Sequence, residues 1–245
     1  MTDVPESHPR YVSLRMRDDI ARGVERGVTS PHGLIAHGRG EAFDYMIGER
    51  TQPFALSAIR SAAAMLLRAS HPVISVNGNT AALVPAHLVS LSAACKAPLE
   101  VNIFHTSQER ERAIERQLRD SGAEGVLLPT PDSTIDHIES NRKFVNPRGI
   151  AVADVVFVPL EDGDRCEALR KMDKEVITID LNPMSRTSRL ASVTIVDNVV
   201  RAMPLLLETI AELRSLGVPQ LETLVSTYDN QTILDQAQQR LRKGE

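Results

Sequence analysis

The spacing of apolar residues changes character near residue 72. Before it, the pattern is helical: in 11–28, Leu14, Ile20, Val24 and Val28 recur on one side and charges fill the rest. Thr29-Ser30-Pro31 breaks that helix and can open another, and 53–69 is an alanine-rich helix. After it come short β-rich apolar runs at 73–76, 99–104, 125–128, 154–158, 175–179 and 193–196. An alanine- and leucine-rich helix runs from behind Asn79 to about residue 96, and another opens at Thr106-Ser107-Gln108-Glu109, which fits a capping box. Residues 129–150 hold three prolines and many polar groups, so they read as an irregular connection. From Asn198 onward the chain is again helical, its leucines serving packing or dimerisation.

Short strands alternating with helices predict an α/β fold: a Rossmann-like, mostly parallel six-stranded sheet with helices on both faces. The expected organisation is a helical segment over 1–70, an α/β core over 71–204 and a helical tail over 205–245.

Composition narrows the function. The chain is 42% hydrophobic and 24% charged, as in ordinary soluble proteins, but only 3% aromatic with no tryptophan, so its core must be aliphatic. A net charge of −4 without a basic stripe argues against nucleic-acid binding. Cys95 and Cys166 cannot make a disulfide framework and are read as reduced thiols. The stretch MTDVPESHPR has no apolar signal core, and no apolar run reaches membrane-spanning length; a cytoplasmic protein is expected. Of the 28 basic residues only Lys96, Lys143, Lys171, Lys174 and Lys243 are lysines. Anions are therefore handled mainly by guanidinium forks.

Parallel sheets bind ligands beyond the carboxyl ends of their strands. There lie Asn77-Gly78-Asn79, Asn102, the run Pro159–Arg165, Asp180-Leu181-Asn182-Pro183 with Ser185-Arg186-Thr187, and Asp197-Asn198. Each alone is explained by turns and helix caps; their convergence on one rim points to a site. Glu161, Asp162 and Asp164 could hold Mg²⁺ through hard carboxylate oxygens, or could form a solvated acidic turn that caps the next helix and pairs with Arg165. Ser185, Arg186 and Thr187 suit phosphate oxygens in a short loop between adjacent strands.

Several chemistries lack their signatures. There is no G-x-x-x-x-G-K-[ST] loop, no G-x-G-x-x-G after a strand and no G-x-S-x-G elbow. The stretch GLIAHGRGEAFDYMIGE at 33–49 lacks the third glycine and a preceding strand. It fits a helix carrying glycines, with Leu34, Ile35, Phe43 and Met46 available for packing and Arg39 beside glycines that allow close approach. His37 and His71 read as packing or helix-end groups.

Long strings carry a resemblance: Ser7–Tyr11, GLIAHGRGEAFDYMIGE at 33–49, HPVISVNGNTAALVP at 71–85, ADVVFVPLEDGDRCEAL at 153–169, and VITIDLNPMSRTS through VTIVDNVVRA at 176–202. With them the chain resembles the archaeal phosphopantothenate synthetase (4-phosphopantoate–β-alanine ligase) family of coenzyme A biosynthesis, from about residue 5 to residue 204 and weakly over 121–150. Cys166 stands where the family pattern has threonine, and Thr106 follows His105 where it has arginine. The resemblance implies ATP, Mg²⁺, 4-phosphopantoate and β-alanine as reactants, AMP and pyrophosphate as products, and a homodimer. It implies ATP contacts from Arg17, Arg39, Asp180, Leu181, Asn182, Arg186, Thr187, Asn198 and Val199. Arg39 and Arg186 are the expected catalytic charges, and Asn77 and Asn79 are expected to help hold the substrate's 4-phosphate.

Overall fold

The computed structural model describes residues 4–104 and 107–243. Six parallel strands, β1 (Pro72–Val76), β2 (Leu99–Val101), β3 (Val126–Leu127), β4 (Val155–Phe157), β5 (Glu175–Ile179) and β6 (Val193–Ile195), pair in the order β3-β2-β1-β4-β5-β6. All five pairings are parallel. This is the doubly wound order, and the chain reverses direction across the sheet between β1 and β4. Every expected strand forms, though β2, β3, β4 and β6 are shorter than their apolar runs.

Apart from the half-buried edge strand β3 and Glu175 at the start of β5, the strands are buried on both faces, as in a parallel sheet covered by crossovers. Ile74, Val76, Phe157, Ile177 and Ile179 face one core; Val73, Val156, Val158 and Val176 face a second. The first core is covered by α3 (Pro53–Arg68), α5 (Pro85–Cys95), α6 (Gln108–Asp120) and α9 (Val199–Leu213), with α10 (Val218–Ser226) and α11 (Asn230–Lys243) outside them. Ala55, Ala58, Ala62, Ala63 and Ala64 of α3 are fully buried. Small side chains bring α3 close to α9 and α10, which is how an aromatic-poor chain fills its interior. This core draws on residues from Val28 to Ala237.

The second core is covered by α7 (Gly163–Lys171) and by Ile135, Val145 and Ile150 of the irregular connection. That connection is fastened by Glu100 of β2, whose buried carboxylate accepts the Asn146 N–H at 2.8 Å and the Ile150 N–H at 2.7 Å. Burial pushes its pKa up against those two bonds.

Four local expectations are corrected. Of the predicted stripe Ile20 and Val28 are buried, while Leu14 and Val24 are only half-buried; Ser13, Met16 and Gly23 complete the buried face of α1 (Tyr11–Glu25). The helix behind β1 is split at Pro85, which starts α5 after the short α4 (Gly78–Leu83). The cap of α6 is Ser107, which accepts the Arg110 N–H at 3.2 Å; Thr106 lies outside the described residues. The acidic turn does not cap α7: Asp162 stands at the cap position without bonding the helix. Among the described residues, no helix is long and apolar enough to cross a membrane.

Candidate active site

GLIAHGRGEAFDYMIGE lies in a helix, α2 (Pro31–Ile47), opened by Pro31 at its first turn and closed by Gly48 in the left-handed region (φ 98°). Its packing is not the one the apolar residues forecast. Leu34, Ile35 and Met46 are exposed, Phe43 is half-buried, and the fully buried side chains are Asp44 and Ile47. The helix is held at both ends by polar bonds. At its start, Asn79 accepts from Thr29 Oγ1 at 2.6 Å and donates to the Gly33 carbonyl at 3.0 Å. A Cβ on Gly33 would overlap both Asn79 Oδ1 and Thr29 Oγ1. At its end, Asp44 accepts from Arg201 and from Asn198 Nδ2 (2.8 Å). Gly33 is thus the glycine that permits close approach; Gly38 faces open space, and a Cβ on Gly40 would make an ordinary contact with Leu181.

So placed, α2 roofs the carboxyl edge of the sheet and encloses a cleft with two chambers. The first, about 390 Å³, is walled by Thr29, Ser30, Gly33, Asn77, Asn79, Arg110, Arg142, Asn198 and Val199 among others. The second, about 350 Å³, is walled by Asp180, Leu181, Asn182, Ser185, Arg186 and Thr187. Ala36, Arg39, Gly40, Leu160, Asp162 and Leu181 border both. Arg39 therefore stands at the divide, within electrostatic reach of Asp162 and Asp180.

The second chamber is built by the β5–β6 connection. Asp180 accepts from Ser185 Oγ at 2.5 Å and from the Asn182 N–H at 2.9 Å. Burial raises its pKa against those bonds and against Arg39. Ser185 caps α8 (Arg186–Leu190), accepting the Ser188 N–H at 2.9 Å. Thr187 donates to the Glu161 carbonyl at 2.8 Å, and Arg186 pairs with Glu167. A Cβ on Gly163 would come within 2.6 Å of Arg186, so the glycine lets the arginine stem cross the α7 start. Burial pushes the Cys166 thiol up to about 12, so it stays protonated and unreactive at neutral pH.

Between the chambers lies a buried ion-pair chain: the pairing of Arg165 with the acidic run was expected, and its continuation to Arg142 was not. Arg142, from the connection read as irregular, is only 3% exposed. It bonds Glu161, Asp162 Oδ2 (2.7 Å) and Asn102 Oδ1 (3.1 Å). Glu161 Oε2 also takes Arg165 Nη1 at 2.5 Å, and Arg165 reaches Ser75 Oγ at 3.0 Å. Burial alone would raise the Glu161 pKa, but the charges of Arg142 and Arg165 hold it below the ordinary value. Asp162, more open, is shifted up by burial and by the charge of Glu161.

These contacts change the standing of several expected site residues. The Glu161 carboxylate is engaged by two guanidinium groups and does not fit a Mg²⁺ ligand. Asp162 is bound by Arg142, and Asp164 borders neither chamber. Among the described residues, no group of three or more His, Cys, Asp or Glu is placed to hold a metal ion. Asn77 is the cap of α4, accepting the Thr80 N–H at 3.0 Å and donating to the carbonyls of Pro159 and Leu160. Both asparagines after β1 thus have their side chains in protein bonds and shape the wall. Arg17 borders neither chamber; its Nε lies 3.0 Å from Glu41 Oε2, and Glu41 lines the first chamber. Arg39, Asp180, Leu181, Asn182, Arg186, Thr187, Asn198 and Val199 do come together around the cleft. Arg110, Arg142, Asp44 and Arg201 are the participants that pattern reading missed. A lone arginine in a proline-rich stretch, or an aspartate 157 residues from its partner, leaves no periodic signal.

Residues 54–244 match the model of the phosphopantothenate/pantothenate synthetase family. The chain belongs to that family. A 4-phosphopantoate–β-alanine ligase of Methanosarcina mazei is 51% identical over 237 residues, covering 97% of this chain and 93% of its own. One from Thermococcus kodakarensis is 52% identical over 231 residues, covering 94% and 88%. One from Methanospirillum hungatei is 50% identical over 200 residues, 82% of each chain. As a phosphopantothenate/pantothenate synthetase family member, the chain carries its cleft residues mainly on the β1, β4, β5 and β6 edges and on α2, although α2 precedes the span of the family match.

Proposed function

We propose that this chain is an ATP-dependent ligase that condenses 4-phosphopantoate with β-alanine to 4′-phosphopantothenate in coenzyme A biosynthesis, in the cytoplasm and as a homodimer. The observation that carries the chemistry is the two-chambered cleft with Arg39 at its divide. A ligation of this kind brings a nucleotide and a carboxylate together end to end, and the geometry offers one chamber for each with a permanent cation between them.

A carboxylate and an ammonium do not form an amide in water without activation. In the proposed route, a carboxylate oxygen of 4-phosphopantoate attacks the α-phosphorus of ATP. A new P–O bond forms, the α–β phosphoanhydride bond breaks and pyrophosphate leaves. The β-alanine amine then attacks the acyl carbon of the adenylate. The C–N bond forms, the C–O bond to AMP breaks, and the amine proton is released. Negative charge grows on phosphate oxygens in the first step, where Arg39 and Arg186 stabilise it by fixed charge. ATP lies in the second chamber against Asp180, Leu181, Asn182 and Thr187 and extends toward Asn198 and Val199; Arg17 acts on it through Glu41. No covalent enzyme intermediate is required, in keeping with a protonated, buried Cys166. Most of the rate gain comes from orientation. Mg²⁺ would enter the cleft with ATP, on its phosphates.

The test is to incubate the protein with Mg-ATP, 4-phosphopantoate and β-alanine and identify the products by mass spectrometry. 4′-Phosphopantothenate, AMP and pyrophosphate are expected. ADP and phosphate in their place would replace the adenylate with an acyl phosphate. No amide at any enzyme concentration would leave a nucleotide-binding protein without this catalysis.

A further inference from the structure

We propose that Asp162 holds the ammonium group of β-alanine at the divide between the chambers and takes its first proton, which frees the amine to attack the acyl carbon. This rests on the ligase reading above. β-Alanine arrives as a zwitterion, and an ammonium nitrogen has no lone pair to give. It needs a carboxylate beside the carbon it attacks. In the proposed reaction that carbon lies where the two chambers meet.

Among the described residues four carboxylates line the cleft. Glu41 lines the first chamber only and accepts from Arg17 Nε at 3.0 Å and from the Tyr45 hydroxyl at 2.8 Å. Glu161 and Asp180 line the second only. Two guanidinium groups hold Glu161, and Ser185 Oγ with the Asn182 N–H holds Asp180. Asp162 alone borders both chambers. Its Oδ2 is fixed by Arg142 Nη1 at 2.7 Å, its side chain is 57% exposed, and no described residue donates to its Oδ1. Asp162 also occupies the N-cap of α7, where an aspartate ordinarily accepts a helix N–H, and makes no such bond. The helix forgoes its cap and Arg142 takes the carboxylate instead. Arg142 is itself braced by Glu161 and Asn102, so Oδ1 is presented from a rigid mount. Burial and the charges of Glu161 and Asp164 raise the Asp162 pKa against Arg142 and Arg39. A carboxylate shifted upward is a stronger base than an ordinary one.

In the amide-forming step one N–H bond of the ammonium breaks and its proton goes to Oδ1. The nitrogen lone pair forms the C–N bond, the C–O bond to AMP breaks, and that bonding pair leaves on the AMP phosphate. The second amine proton is lost to solvent as the amide forms, and Asp162 then returns its own proton to solvent.

The experiment compares wild type with Asp162→Asn, which keeps the shape and can still accept from Arg142, and with Asp162→Glu; folding is checked by circular dichroism. For Asp162→Asn, kcat/KM for β-alanine should fall about 100-fold or more, the range of a lost general base. Pyrophosphate–ATP exchange with 4-phosphopantoate needs no amine and should fall less than about threefold. Hydroxylamine is uncharged at neutral pH, so hydroxamate formation should likewise be spared. Amide formation by the variant should climb with pH as the amine loses its proton in solution, and Asp162→Glu should recover part of the loss. A kcat/KM for β-alanine close to wild type would overturn the inference. So would an equal fall in exchange, hydroxamate and amide, which would make Asp162 a support of Arg142 alone. If wild type itself makes no amide, the ligase reading fails separately. Calorimetric titration of β-alanine into wild type and Asp162→Asn, each with AMP and 4-phosphopantoate present, then decides the inference, equal affinities counting against it.

Discussion

Arg201 of α9 grips Asp44 of α2 with both terminal nitrogens, at 2.5 and 3.1 Å, and also bonds Asp197 at the end of β6. Asp44 and Asp197 are 3% and 1% exposed at the side chain. The pair clamps the roof helix onto the sheet edge and thereby sets where Arg39 stands. Arg201→Met leaves two buried carboxylates facing each other. It should lower unfolding free energy by about 3–5 kcal/mol in urea titrations. Adding Asp44→Asn should restore part of that loss; no restoration would mean that the carboxylates do not oppose each other there.

The glycines of α2 make opposite predictions. Gly33→Ala drives a methyl into Asn79 and Thr29 and should cost about 1–3 kcal/mol, with ligase activity falling as the helix shifts. Gly38→Ala meets open space and should stabilise by about 0.5–1 kcal/mol through helix propensity. Thermal melts of the two variants moving in the same direction would contradict this packing.

Arg39 is exposed and borders both chambers, so its removal separates catalysis from folding. Arg39→Ala should lower turnover about 100- to 1,000-fold and change stability by less than about 0.5 kcal/mol. Activity retained within a few-fold would remove Arg39 from the reaction.

Glu161 sets part of the acid limit of the fold. Its native pKa is held below the ordinary 4.5 by Arg142 and Arg165 in spite of burial. The stabilisation is complete above the unfolded value and is lost as pH falls through the lowered native value. Wild type should therefore exceed Glu161→Gln in stability at neutral pH, with the gap closing below about pH 4. Urea midpoints measured across pH test this; a gap independent of pH would show that the loss is one of packing rather than charge.

Much of this protein was legible in its residues. Six β-rich runs separated by helical stretches dictate a parallel sheet, because strands buried on both faces must be apolar and their crossovers must be long. Asparagine, aspartate and arginine at the strand ends mark the rim, and long strings such as GLIAHGRGEAFDYMIGE carry the family. Periodicity is local, however, and the partners that shape the cleft are distant in the chain. Asn77 and Asn79 were visible as polar residues after β1, but only the fold shows their amides bonded to Pro159, Leu160 and Gly33. Glu161 was legible either as a metal ligand or as a partner of Arg165; Arg142, from an irregular connection with no periodic pattern, adds a second guanidinium that sequence reading did not see. Leu34, Ile35 and Met46 looked like packing residues, yet α2 is anchored through Asp44 and Gly33 and turns them outward. Local sequence determined which groups could do chemistry. Tertiary structure decided which carboxylates and amides were already neutralised by a partner, because a buried charge or carboxamide must find one wherever the fold brings it near.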